Sequence, residues 1–212
     1  MYTLYYAPGS ASLAVHWMLI ELAIPHELAL VDLATKAQKD ARYLKLNPNG
    51  MVPTLIVDGE PRYECAALLL FLAERHDPTG LMPPQDSPAR SAYYQWMLHL
   101  ANTLHPLYRR WFYAAEVALA QNAPAVLEQA RIGIEAAWDR IDAQLAQGGP
   151  FILGRQFTAV DYFATMLARW SRNMPKPATQ WPHVRAYIDL MRQRPGLKEV
   201  HAREGLTDWI ST

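Results

Sequence analysis

Asn47-Pro48-Asn49-Gly50-Met51-Val52-Pro53-Thr54-Leu55-Ile56-Val57-Asp58-Gly59-Glu60-Pro61-Arg62-Tyr63-Glu64-Cys65 is the stretch on which the reading of this chain turns. Its first four residues are dense in turn formers. Residues 54–57 are mostly apolar and mostly β-branched, and Asp58-Gly59-Glu60 separates them from a second short run, 61–63, which predicts a tight hairpin. Pro53 stands before the first strand, where a proline removes no ladder donor. After Glu64, residues 65–76 read as a buried helix.

Upstream, residues 3–6 are mostly β-branched or aromatic and stop at Ala7-Pro8-Gly9, which predicts a strand and a turn. Ser10-Ala11-Ser12 offers N-cap candidates for a helix. Its apolar positions are Leu13, Trp17, Ile20 and Ile24, and Pro25 ends it. Residues 27–31 predict a second strand and 35–46 a weak polar helix. The order is β-α-β-α-β-β-α. Downstream, residues 77–88 carry Pro78, Pro83, Pro84 and Pro88 and exclude regular structure. Helices are then expected over 89–121, 125–147, 159–173 and 181–194, with a short tail from Leu197. The breaks between them are Asn122-Ala123-Pro124, Gly148-Gly149-Pro150 and Pro175-Lys176-Pro177. The expected fold is α/β plus all-α: a domain at 1–77, a linker at 78–88 and a helical bundle at 89–212. An X-Pro opening the third strand of this order is the thioredoxin-like arrangement. About 5–6% of X–Pro bonds are cis, and this context is what predicts a cis bond at Val52–Pro53. The main chain of Val52 is then exposed, ready to pair with an extended peptide-like ligand.

Composition excludes several function classes. Of 212 residues, 51% are apolar and 19% charged, which is globular rather than disordered. Lys+Arg and Asp+Glu are 20 each, so nothing draws the chain to nucleic acid or to an anionic membrane. Cys65 is the only cysteine, so no internal disulfide and no Cys-x-x-Cys dithiol chemistry exist. Met1–Tyr6 lacks the basic and apolar regions of a secretory signal, and no stretch is long and apolar enough to span a membrane; cytoplasm is expected. There is no Walker loop, no His-Glu-x-x-His and no Gly-x-Ser-x-Gly, and the seven histidines show no metal spacing.

Two further places remain as candidate site elements. Glu64-Cys65 opens a helix whose free N–H groups bind carboxylates, while Glu64 can accept from an ammonium; plain helix capping by an acid is the competing reading. Ser10, after a strand and turn and opening a helix, is placed to donate to a thiolate, against an N-cap role. Thr158 with Asp161 and Phe157 reads as a capping box with a hydrophobic staple, a folding signal.

Together these features resemble the cytosolic glutathione transferases over essentially the whole chain. Asn47-Pro48-x-Gly50-x-Val52-Pro53-Thr54-Leu55 and Glu64 with its helix are similar to that family's glutathione-site signature. Pro8-Gly9-Ser10-Ala11-Ser12-Leu13-Ala14 resembles the bacterial beta class, with Ala11 where that class has a cysteine. Tyr5-Tyr6-Ala7-Pro8-Gly9-Ser10-Ala11 is similar to the insect delta class, whose activating serine falls on Ser10. His105 falls where beta-class enzymes keep a histidine near the thiol, and Cys65 replaces the family's usual serine, leaving its backbone N–H as carboxylate ligand. The resemblance implies a homodimeric detoxifying enzyme that conjugates glutathione, its co-substrate, to small hydrophobic electrophiles, without a metal. Catalytic candidates are Ser10, Tyr6 and Ser12; glutathione-binding candidates are Val52, Pro53, Glu64, Cys65 and His105. The alternatives are a glutathione-dependent peroxidase, reductase or isomerase, or a noncatalytic glutathione-binding protein of the same fold.

Overall fold

The structure, a computed structural model, describes residues 1–76, 80–117 and 119–210. Three pieces of the expectations, residues 77–79 at the edge of the linker, Ala118 in the long helix and the last two residues of the tail, lie outside these. The chain divides into two units, Met1–Met82 with Met191–Thr212, and Pro83–Leu190.

The first unit is built on a four-stranded sheet of β1 (Tyr2–Tyr6), β2 (His26–Leu30), β3 (Thr54–Val57) and β4 (Glu60–Tyr63), in the order β2-β1-β3-β4. The β1 and β2 strands are parallel and joined through α1 (Ser12–Glu21), while β3 and β4 run antiparallel to their neighbours. The hairpin turn has Asp58 at φ 53° and Gly59 at φ 85°, the double positive φ for which Asp-Gly is suited. This is the thioredoxin-like arrangement, completed by α2 (Ala41–Leu44) and α3 (Cys65–His76). Leu4, Leu55, Leu69 and Trp17 are buried at its centre. The α1 helix stops at Glu21, short of Pro25, because Ala23 turns left-handed (φ 51°) and Ile24 N–H bonds back to Leu19 O. The expected helix over 35–46 is reduced to a 3-10 turn, Ala37–Lys39, and the single-turn α2. Only Tyr43 in these two pieces is buried, so no apolar face sustains a longer helix. Pro195–Arg203 (α10, numbered with the second unit's helices in between) packs on α1 in the same unit, so the expected tail belongs with the sheet. A Cβ at Gly196 would lie 3.0 Å from Trp17 Nε1, which is how closely the two helices approach.

The second unit holds α4 (Ala89–His99), α5 (His105–Phe112), α6 (Ala114–Val117), α7 (Ala123–Leu145), α8 (Ala159–Trp170) and most of α9 (Pro182–Arg192). The expected single helix from 89 is interrupted by a π turn at Leu100–Leu104. Pro106 has no N–H for the Asn102 carbonyl, and its ring would strike that carbonyl in a regular helix; the wider turn relieves both. The capping box forms. Asp161 accepts from Thr158 N–H at 2.8 Å and from Ile152 N–H at 3.1 Å, and the Phe157 and Tyr162 rings lie 4.9 Å apart. Asp142 of α7 caps α9, accepting the N–H groups of His183 and Val184 at 2.8 and 3.0 Å.

Candidate functional site

Strand register gathers the candidates of the first unit. Tyr6 faces Leu30, Tyr5 faces Thr54, and Thr54 faces Tyr63. The end of β1, the start of β3 and the end of β4 therefore share one end of the sheet. The turn of residues 7–12, the Met51-Val52-Pro53 approach and Glu64-Cys65 all emerge there.

The 7–12 turn is closed by its own serines. Ser12 is fully buried; its hydroxyl donates to Ala7 O at 3.1 Å and accepts Ala7 N–H at 3.2 Å. Ser10 Oγ lies 2.9 Å from Ser12 Oγ and accepts Ser12 N–H at 3.3 Å. With Ser12's only proton committed to Ala7 O, Ser10 donates in that pair. Its proton is the one the turn does not need. Ser10 is half-buried and begins the entry to α1, whose N-cap position is Ala11, without a side-chain cap. From the other side, Glu204 accepts Gly9 N–H at 2.8 Å and pairs with His16 Nδ1 at 2.8 Å, both side chains fully buried. This tie was not visible in the sequence, because the 195-residue separation of Gly9 and Glu204 carries no motif. Tyr6 ends β1 with its ring 5.8 Å from that of His16.

The Val52–Pro53 bond is cis, as expected. Among the described residues, nothing hydrogen-bonds the main chain of Val52. Pro53 is buried and Val52 half-buried. Gly50, at φ 56°, makes the turn beneath them: a Cβ there would sit 2.9 Å from Gln38 O. Glu64 is exposed and holds a left-handed conformation, φ 74°, rare for a non-glycine and characteristic of functional positions. Its carboxylate lies 3.4 Å from Asn49 Nδ2. Cys65 begins α3 with its side chain buried, and burial, with the Glu64 charge adding to it, pushes the thiol far above its ordinary pKa. Its backbone N–H, at a 12-residue helix start, is what it offers a ligand.

His105 lies in the second unit, at the start of α5, with ring centroids 5.5 Å from Phe163 and 5.3 Å from Trp170. Burial, and then the nearby Arg109 charge, lowers its pKa to about 4, so it is a neutral imidazole at pH 7. Among the described residues, no three His, Cys, Asp or Glu side chains are grouped to hold a metal, and no helix is long and apolar enough to cross a membrane.

A thioredoxin-like sheet carrying these groups at one end, with a helical unit following it in the chain, defines a glutathione transferase architecture. Residues 10–75 match the glutathione S-transferase N-terminal domain and residues 124–203 the C-terminal domain. Glutathione S-transferase GST-4.5 of Xanthomonas campestris is 35% identical over 79% of this chain and 81% of its own length. Glutathione S-transferase GstA of Escherichia coli O157:H7 is 28% identical over 96% of the chain and 98% of its own. A glutathione transferase homologue from Sulfitobacter, solved with bound glutathione, superposes with a TM-score of 0.88 at 27% identity, covering 96% of this chain and 98% of that one. The chain belongs to the glutathione S-transferase family, and it is a glutathione transferase enzyme.

Proposed function

We propose that the protein conjugates the thiolate of glutathione to small hydrophobic electrophiles in the cytoplasm, as a homodimer. The observation that carries this reading is the convergence, at one sheet end, of an unpaired Val52 main chain, the strained Glu64 at a helix start and the spare Ser10 proton. Glutathione's cysteinyl segment pairs with Val52 as an added strand. Its γ-glutamyl carboxylate takes the Cys65 N–H and its ammonium takes Glu64. The thiol faces Ser10, whose hydroxyl turns from Ser12 Oγ to the sulfur.

The magnitudes suit this role. A thiol of pKa about 8.5 is only about 3% ionised at pH 7. One hydrogen bond to a charged acceptor contributes roughly 1.5–3 kcal/mol, which lowers the pKa by about 1–2 units and makes a large fraction nucleophilic. Ser12, with its proton engaged, is the weaker candidate, and Tyr6 is the alternative donor. The absent cysteine at Ala11 argues against mixed-disulfide chemistry through the protein.

The test is a titration of bound-thiolate absorbance against pH in wild type, Ser10→Ala, Ser12→Ala and Tyr6→Phe. Ser10→Ala is expected to raise the bound thiol's pKa by about 1–2 units and to cut turnover at neutral pH roughly ten-fold, with glutathione affinity little changed. A shift confined to Tyr6→Phe would move the role to that residue. Turnover is measured in parallel with a chloronitrobenzene, a hydroperoxide and a glutathione mixed disulfide. Activity only with the last two would replace conjugation by peroxidase or reductase chemistry, and binding without turnover would make the protein a glutathione carrier.

A further inference from the structure

Beneath the cis-proline turn, two buried side chains close on one carbonyl, and a third links them. Tyr43 Oη donates to Met51 O at 2.7 Å, and Asn47 Nδ2 donates to the same oxygen at 2.8 Å. Asn47 Nδ2 also reaches Thr54 Oγ1 at 3.2 Å, and the Tyr43 and Thr54 hydroxyls lie 2.9 Å apart. Tyr43, Asn47 and Thr54 are all nearly or fully buried.

The protons of this cluster can be placed in only one way. Tyr43 gives its single proton to Met51 O, so Thr54 gives its own to Tyr43 Oη. The two Asn47 amide protons go to Met51 O and Thr54 Oγ1, and Asn47 Oδ1 accepts Asn49 N–H at 3.1 Å. Both lone pairs of the Met51 carbonyl are taken. A buried network with every donor used holds its members in one geometry. Burial raises the Tyr43 pKa, against the pull of the Thr54 hydrogen bond, so the phenol keeps its proton.

The Met51 carbonyl shares one planar peptide with the Val52 N–H, and in a trans peptide the two point in opposite directions. Among the described residues, the cis bond falls one residue later. An oxygen pinned inward therefore aims the Val52 N–H outward. We propose that Tyr43 and Asn47 are positioning residues for glutathione, clamping the Met51–Val52 peptide so that Val52 presents its main chain already oriented to the ligand. This rests on the glutathione reading above, but the clamp itself is a property of the ligand-free chain. Order held in the free protein need not be established on binding, so the clamp acts on affinity. The Ser10 hydroxyl, which sets the thiol's ionisation, is on a different loop and is not part of it.

The test is Tyr43→Phe, which removes one of the two donors to Met51 O at nearly constant volume; Asn47→Asp, which exchanges donors for acceptors, serves the same comparison if Tyr43→Phe does not fold. In the folded variant the KM for glutathione is expected to rise about three- to ten-fold, with kcat and the pKa of the bound thiol unchanged. In the ligand-free protein, nitrogen relaxation at the Val52 amide is expected to show ordered backbone in wild type and added motion in the variant. An unchanged KM in a folded variant overturns the proposal. So does a KM and kcat that worsen together with a lowered melting temperature, which marks a packing role only. Should calorimetry show that wild type does not bind glutathione, the functional reading falls. The Val52 relaxation then decides the clamp alone, and identical profiles in wild type and variant overturn it.

Discussion

Ser10 and Ser12 carry the same functional group two residues apart, and their surroundings give them opposite work. Ser12 is buried with both the N–H and the C=O of Ala7 on its hydroxyl. Ser12→Ala leaves the Ala7 N–H without its partner, while Ala7 O keeps the Ser10 N–H at 3.2 Å, and is expected to destabilise the chain by about 1–3 kcal/mol, read as a lower urea midpoint without ligand; an unmoved midpoint would show that the turn does not depend on it. Ser10 is half-buried, gives its proton to a partner that is already satisfied and accepts the Ser12 N–H at 3.3 Å, so Ser10→Ala is expected to act mainly on turnover, with a smaller loss of stability than Ser12→Ala. His105 is a second case in which environment decides. Its folded pKa, about 4, lies below the ordinary value near 6.5. Above pH 6.5 both folded and unfolded chains carry it neutral; as pH falls toward 4 the unfolded chain binds the proton first, and stability declines. The decline attributable to His105 is at most about 3 kcal/mol. Urea midpoints at pH 7.5, 5.5 and 4.5 are expected to fall less in His105→Phe than in wild type. Equal slopes, or a His105 ring that titrates near pH 6.5 by NMR, would contradict a neutral buried imidazole.

Elements whose cause is local were readable from residue order, and those whose cause is distant were not. The hairpin followed from Asp58-Gly59, helix α3 from its apolar run bounded by Glu64, and the capping box from Thr158 and Asp161. The helical pattern from Ala89 runs on through Pro106, although the proline itself forces the π turn before it. Residues 35–46 predict a weak polar helix but shrink to the single-turn α2, because they have no apolar face to bury. The turn at Ala7–Ser12 was recognised, whereas its tie to Glu204 spans most of the chain and leaves no trace in spacing. The start of α9 belongs to the same class, since its cap comes from Asp142 on α7. Burial alone would raise the Asp142 pKa, but the hydrogen bonds from His183 and Val184 outweigh it and the pKa is lowered. A carboxylate with a depressed folded pKa contributes stability above its unfolded value and loses it as pH falls through the folded one. Asp142→Asn is therefore expected to cost about 0.5–2 kcal/mol at pH 7 and progressively less below pH 4. Thermal melts across that range check it; a deficit constant with pH would mean that the cap works without its charge.

At the scale of the molecule, the question is what covers the outer side of α4. Near the start of this helix, Tyr93 and Met97 are fully buried in the chain itself. The large apolar side chains that α4 leaves exposed are Tyr94, at 40%, and Leu98, at 52%, four residues apart on one helix face. Arg90 lies a further turn back on that face, with its guanidinium 5.1 Å from the Tyr94 ring centroid and Nε 2.9 Å from its hydroxyl. The chain's charges balance at 20 and 20, so no net repulsion opposes two copies meeting. An aromatic and an arginine beside an exposed leucine make the kind of composition found at the centre of interfaces. In a two-fold dimer the same face serves both partners, so one substitution strikes the interface twice. Light scattering at micromolar concentration is expected to give twice the 24.1 kDa of one chain. Leu98→Glu, which sets two carboxylates into the contact, is expected to return it to the single-chain mass with the melting temperature measured alongside. A wild type at the mass of one chain would end the dimer proposal. A Leu98→Glu protein that stays at twice that mass would keep the dimer and move its interface off this face of α4.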